Sequence, residues 1–142
     1  MAQLILSEKP DAANRIASAL ADTKPAIKTL MGVKYYELRH NGKEIIVAST
    51  VGHLFNLREK KKQGLKYPNF DLEWAPSYEI SKNASFTKKY LDVLKELSKK
   101  IDSYVIATDF DTEGSVIGWT CIKFIYHKDD AQIGRASCRE RV

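Results

Sequence analysis

The stretch "YVIATDFDTEGSVIGW", Tyr104 to Trp119, runs apolar residues into a cluster of three carboxylates and then turns apolar again. Tyr104 to Thr108 reads as a strand of the kind buried on both faces of a parallel sheet. Glu113 to His127 continues at helical spacing with few polar positions. A buried strand that enters a helix through a short loop is half of a βαβ unit, so the stretch predicts an α/β fold. It also puts Asp109, Asp111 and Glu113 beyond the carboxyl end of a strand, where open parallel sheets gather their chemistry.

These three acids alternate, so an extended turn can point them to one side. At an effective dielectric near 20, like charges about 4 Å apart repel by roughly 4 kcal/mol. The nearest basic residues in sequence, Lys100 and Lys123, are remote from the loop. The carboxylates therefore either splay into water or surround a hard cation. Mg²⁺ fits the second case, because it takes one or two carboxylates and completes its shell with waters and substrate phosphates.

Working outward, Gln3 to Ser7 ("QLILS") is a short apolar strand, and Pro10 opens a helix with Ala12, Ile16, Ala19 and Leu20 at helical spacing. Val33 to Arg39 and Lys43 to Thr50 form two β-rich runs joined through Asn41-Gly42, a strong hairpin signal. His53 to Ile80 reads as a long irregular excursion carrying Pro68, Pro76, Gly64 and the basic run Arg58 to Lys62. Phe86, Tyr90, Leu91, Leu94, Leu97 and Ile101 mark a helix, with Asn83 or Ser85 as its expected cap. The order predicts a mainly parallel sheet flanked by helices. It gives the acidic loop a counterpart in Ser7-Glu8-Lys9, at the end of the first strand. An isolated acid there is most simply a helix-end charge or a cap.

At 142 residues with a net charge of +5, the composition is that of one soluble domain. The excess of positive charge permits a polyanionic partner without nominating one. Neither a membrane span nor a signal peptide is indicated, so a cytoplasmic protein is expected. Residues 133–142 ("IGRASCRERV") carry no apolar period, cap or turn logic. Back-translated, they match the read-through of a widely used sequencing adapter. They are expected to be non-native, which leaves residues 1–132 as the domain and implies that the gene continued beyond them. Without this tail the charge falls to +3 and Cys121 stands alone, so no disulfide or cysteine metal site can be argued.

Set side by side, "LILSEKPDAANRIASAL" and "ATDFDTEGSVIGW" resemble the opening motif and the Asp-x-Asp-x-Glu-Gly signature of type IA DNA topoisomerases, the archaeal members in particular. "STVGHLFNL" and "YPNFDLEWAPSYEI" are similar to the segment that connects those motifs. The resemblance implies a Toprim domain, Rossmann-like, here lacking its final strand and helix. It implies that Glu8 is the general acid/base at the scissile phosphate of DNA, a role that burial beside other acids would serve by keeping its carboxyl protonated. It implies Asp109 and Asp111 as Mg²⁺ ligands, Glu113 as ligand or neighbour, and Lys9 at the phosphate. His53 is a further candidate for a phosphate contact, although a structural histidine fits as well.

The implied reaction holds one DNA strand on a 5′-phosphotyrosine whose tyrosine lies in a downstream domain of the same chain. None of the tyrosines here sits in that motif, so the fragment is expected to be inactive alone, with an exposed apolar face on the helix from Val116 to Tyr126. The alternatives are another Toprim enzyme, a primase or nuclease, or a noncatalytic nucleic-acid-binding module. A phosphatase of the haloacid-dehalogenase type would place its Asp-x-Asp after the first strand.

Overall fold

The computed structural model describes residues 2–61 and 68–127, with the backbone of 133–135. Its main sheet has six strands in the order β2-β3-β4-β1-β7-β8. These are β1 (Ala2–Ser7), β2 (Ala26–Leu30), β3 (Val33–His40), β4 (Lys43–Ser49), β7 (Ile101–Ala107) and β8 (Ile133–Arg135). The β1 strand lies between β4 and β7, parallel to both, and β8 adds in parallel beyond β7. The β2–β3–β4 meander is antiparallel and closes the opposite edge.

Alternation along the central strands divides the core in two, as the period of a strand requires. Leu4 and Leu6, Ile46 and Ala48, and Tyr104 and Ile106 face helices α3 (Thr87–Leu97) and α4 (Thr112–Ile125). Ile5, Ile45 and Val47 face helix α1 (Pro10–Leu20) on the other side. The buried positions of α1 are Ala13 and Ala17, with Ile16 and Leu20 beside them, rather than Ala12 and Ala19. Two alanines without side-chain bulk let the helix settle closely onto Tyr36, Leu38 and Val47. Pro10 opens α1 as expected, because its missing N–H is one that the first helical turn leaves unbonded anyway.

Several parts depart from the sequence reading. The expected excursion contains a second, two-stranded sheet, β5 (Phe55–Glu59) with β6 (Leu72–Pro76), followed by the short helix α2 (Ser77–Ile80). This hairpin covers α4: Phe55 lies 5.2 Å from Phe124 between ring centres, and Trp74 lies 6.0 Å from Trp119. None of the large apolar side chains of α4 is exposed, so the open face expected from Val116 to Tyr126 is absent. Neither Asn83 nor Ser85 caps α3; a 3-10 turn, Lys82–Ala84, leads into it, and the Thr87 hydroxyl donates to the Ala84 carbonyl at 2.6 Å. Within the basic run, Arg58 is ion-paired to Glu73 and Glu79, and Lys60 to Asp71. Lys62 lies outside the described residues.

The β8 strand falls in the segment read as foreign. Backbone pairing at an open sheet edge is available to any extended segment. The proposal that 133–142 is non-native therefore stands on its codon reading alone.

Two turns have the same shape. Asn41 and Gly42 take φ of 49° and 78°, and Met31 and Gly32 take 50° and 78°, each between register partners that leave a two-residue loop. Asparagine tolerates the left-handed region, whereas an unbranched apolar side chain gains nothing there. Met31 is 55% exposed, so little packing would be lost on replacement. Met31→Asn is expected to stabilise the protein by up to about 1 kcal/mol, read as a higher urea midpoint at unchanged slope.

Cys121 is fully buried, and desolvation pushes its thiol up from 9.0 to about 12. An acid whose folded pKa is raised favours the folded state below its unfolded pKa and loses that contribution as pH climbs toward the folded one. Stability should therefore hold below pH 9 and fall between 9 and 12. Cys121→Ala should lose less over that window, by about 2 kcal/mol near pH 10.5, in urea titrations run at pH 8 and about 10.5.

Candidate active site

Because β1 and β7 are parallel neighbours ending in register at Ser7 and Ala107, the residues that follow leave the sheet side by side. Glu8 thereby reaches the acidic loop: its Oε2 accepts from the Asp109 backbone N–H at 3.3 Å. Two fully buried hydroxyls hold the backbone beneath it. Ser7 Oγ donates toward the carbonyls of Lys9 at 3.1 Å and Ala48 at 3.3 Å, and Thr50 Oγ1 donates to the Glu8 carbonyl at 3.1 Å. The Thr50 N–H adds a bond to the Ser7 carbonyl at 3.0 Å. Thr50 was not singled out from the sequence. Its signal is a small hydroxyl residue at the end of an apolar strand, where a buried O–H must find an acceptor.

The loop from Thr108 to Thr112 is pinned at both ends. The Asp111 N–H bonds back to the Asp109 carbonyl at 2.9 Å, which makes Phe110 the apex of a tight turn. Asp111 is the N-cap of α4, its Oδ1 accepting from the Gly114 N–H at 2.6 Å. Thr108 Oγ1 donates to the Gly114 carbonyl at 2.8 Å. Gly114 is required by space rather than by φ: a Cβ there would collide with the Asp109 carbonyl oxygen. One turn on, a Cβ at Gly118 would run into the Ile106 side chain, so the two glycines let α4 lie against the end of β7.

Asp109, Asp111 and Glu113 are exposed and Glu8 is half-buried. The burial that the general-acid role asks for is thus only partial here. The repulsion among these acids is relieved in part by the start of α4, since Asp111 caps it, Glu113 occupies its first turn, and its N-terminus carries partial positive charge. None of the four makes an ion pair among the described residues. Their oxygens are the hard donors that Mg²⁺ prefers, and the open rim leaves room for waters and phosphate oxygens. No three metal-ligating side chains converge on one point among the described residues. Asp111 gives one oxygen to the cap and keeps the other.

Lys9 stands at the N-cap position of α1 with an exposed side chain and without an ion pair among the described residues. The His53 ring makes no hydrogen bond among the described residues, and its contribution is a backbone one, the carbonyl accepting from Ser77 Oγ at 2.9 Å. The structure thus joins Glu8 to Asp109 and leaves His53 without a shown role at the rim.

The sequence matches the family described as the Toprim domain over residues 3–140. The chain belongs to the Toprim family. Among curated proteins, this Toprim domain is similar to "DNA topoisomerase 1" of Pyrococcus furiosus, 49% identical over 121 residues that make up 85% of this chain and 11% of that protein. It is 45% identical to "DNA topoisomerase 1" of Methanocaldococcus jannaschii over 96% of this chain and 18% of that one. "Reverse gyrase 1" of Aquifex aeolicus is 31% identical over 82% of this chain and 10% of that protein. The chain thus spans less than a fifth of the length of these relatives. A solved structure, the cytosolic domain of the FeoB iron transporter of T. maritima, aligns at 15% identity and a TM-score of 0.33, covering 96% of this chain and 56% of that one; a likeness so low decides nothing.

Asp111 serves the Toprim rim twice, as a helix cap and as a charge, and substitution separates the two. Asp111→Ala should cost about 1 kcal/mol in urea denaturation, whereas Asp111→Asn, which can still accept from the Gly114 N–H, should cost a few tenths.

Proposed function

We propose that this Toprim domain is the acidic half of a type IA DNA topoisomerase site, with Glu8 as general acid/base and Asp109 and Asp111 as the residues that hold Mg²⁺. The observation that carries the reading is the bond from the Asp109 N–H to Glu8, which unites the ends of two strands a hundred residues apart in sequence. The names of the relatives support DNA as the substrate and topoisomerase as the class.

In this reading Glu8 stands over the rim on a backbone fixed by Ser7 and Thr50, placed to give a proton to a departing 3′ oxygen and take it back on resealing. Asp109 and the unused oxygen of Asp111 face outward from the pinned loop, and Glu113 supports them from the first turn of α4. Bound Mg²⁺ would supply the positive charge that lets an acidic rim accept a phosphate. Lys9, one residue from Glu8, is proposed to add a contact to that phosphate. His53 is kept as a lesser candidate for a backbone contact. The strand that enters the rim is proposed to be single-stranded.

The tyrosine that attacks DNA is proposed to come from another domain of the full-length protein. The tyrosines described here are engaged otherwise: Tyr35, Tyr36, Tyr104 and Tyr126 are buried, and Tyr78 and Tyr90 are half-buried. Tyr67 lies outside the described residues. No helix among the described residues is long and apolar enough to cross a membrane. The cytoplasm is the proposed setting, where DNA would be met.

Calorimetric titration of the chain with Mg²⁺ is expected to show weak binding that Asp109→Asn reduces at least tenfold, with the thermal midpoint unchanged. Binding unaffected by that variant would refute the assignment. The chain alone is expected to leave supercoiled plasmid unrelaxed under the same conditions, and relaxation by it would refute the need for an external tyrosine.

A further inference from the structure

Phe110 is the most exposed of the large apolar residues described, at 88%, and it sits between the two aspartates of the rim. A phenylalanine at a loop tip gains no burial from folding and keeps the unfavourable hydration of a full aromatic face. The surrounding turn is not loose. The Asp109 to Asp111 backbone bond, the Asp111 cap and the contact of Gly114 with the Asp109 carbonyl pin the backbone that carries Phe110 at the tip of the turn. A flat hydrophobic surface carried on a pinned backbone beside a polar centre needs no ordering of the loop when a ligand stacks on it. Its immediate neighbours, Asp109 and Asp111, are charged, so an apolar protein surface laid over the ring would have to strip water from both. A nucleobase need not do so, because it covers the face of the ring and leaves its own polar edge in water.

Resting on the reading of the rim as a DNA-cleaving site, we propose that Phe110 is a stacking platform for an unpaired base next to the phosphate held at Asp109 and Asp111. The substrate class follows from the chemistry. A base whose face is free for Phe110 must be out of a duplex stack, so the residue selects single-stranded DNA and tolerates any base. Phe110 would set the position of the strand and take no part in proton transfer.

The test uses the chain with Mg²⁺ and a short single-stranded DNA carrying 2-aminopurine, whose emission is quenched on stacking. Phe110→Ala is expected to weaken binding roughly tenfold and to lose the quenching, while Phe110→Trp keeps both. The melting temperature of Phe110→Ala should equal that of the parent, since the ring is exposed. If Phe110→Ala binds and quenches like the parent, the platform is refuted while the metal site stands. An equal loss of binding to a duplex probe would also refute it, because a paired base cannot offer its face. If the parent chain binds no single strand with Mg²⁺, the reading of the rim fails and the platform with it.

Discussion

Everything at the rim depends on the parallel pairing of β1 with β7. Strand pairing fixes where each backbone ends to within one residue, and Ser7 opposite Ala107 brings both strands to the same edge. A shift of β1 by one residue would turn Leu4 and Leu6 out of one core and drive Ile5 out of the other. The apolar pattern therefore protects the register, and the register places Glu8 against the Asp109 amide. The chemistry of the rim is supported by residues that never touch it.

Helix α4 is the second constraint. Its two glycines let the helix close on the Asp109 backbone and on the Ile106 side chain of β7, and the cap at Asp111 sets where the helix begins. Because the loop is only a few residues long, the closeness of helix to strand dictates its path. The carboxylates are thus positioned by packing, with electrostatics acting against them except at the helix N-terminus. A cation at the rim would remove the remaining repulsion.

Much of this was legible in the sequence where a pattern was long or chemically distinctive. The buried strand at Tyr104, the Asn41-Gly42 hairpin and α1 after Pro10 are all present. The β2 strand escaped because Met31 stands before Gly32 where Asn or Asp would complete the hairpin signal, and because four of its five side chains are exposed and give no apolar signal. The β5–β6 pair escaped because its register is set across a long connection and its burial comes from α4, which no local pattern encodes. At the site, Glu8 and the acids could be named from position and resemblance. The double role of Asp111 and the hydroxyl bond of Thr50 needed the third dimension.

The hairpin packed on α4 carries an optical consequence. The chain has two tryptophans, Trp74 on β6 and Trp119 on α4, and their rings meet edge to face at 6.0 Å with the Lys123 ammonium 4.7 Å above Trp119. Indole emission from this protein therefore reports first on the contact between the hairpin and α4. Lifting the hairpin would change the colour and intensity of the light, so the molecule carries its own gauge of whether that layer is seated.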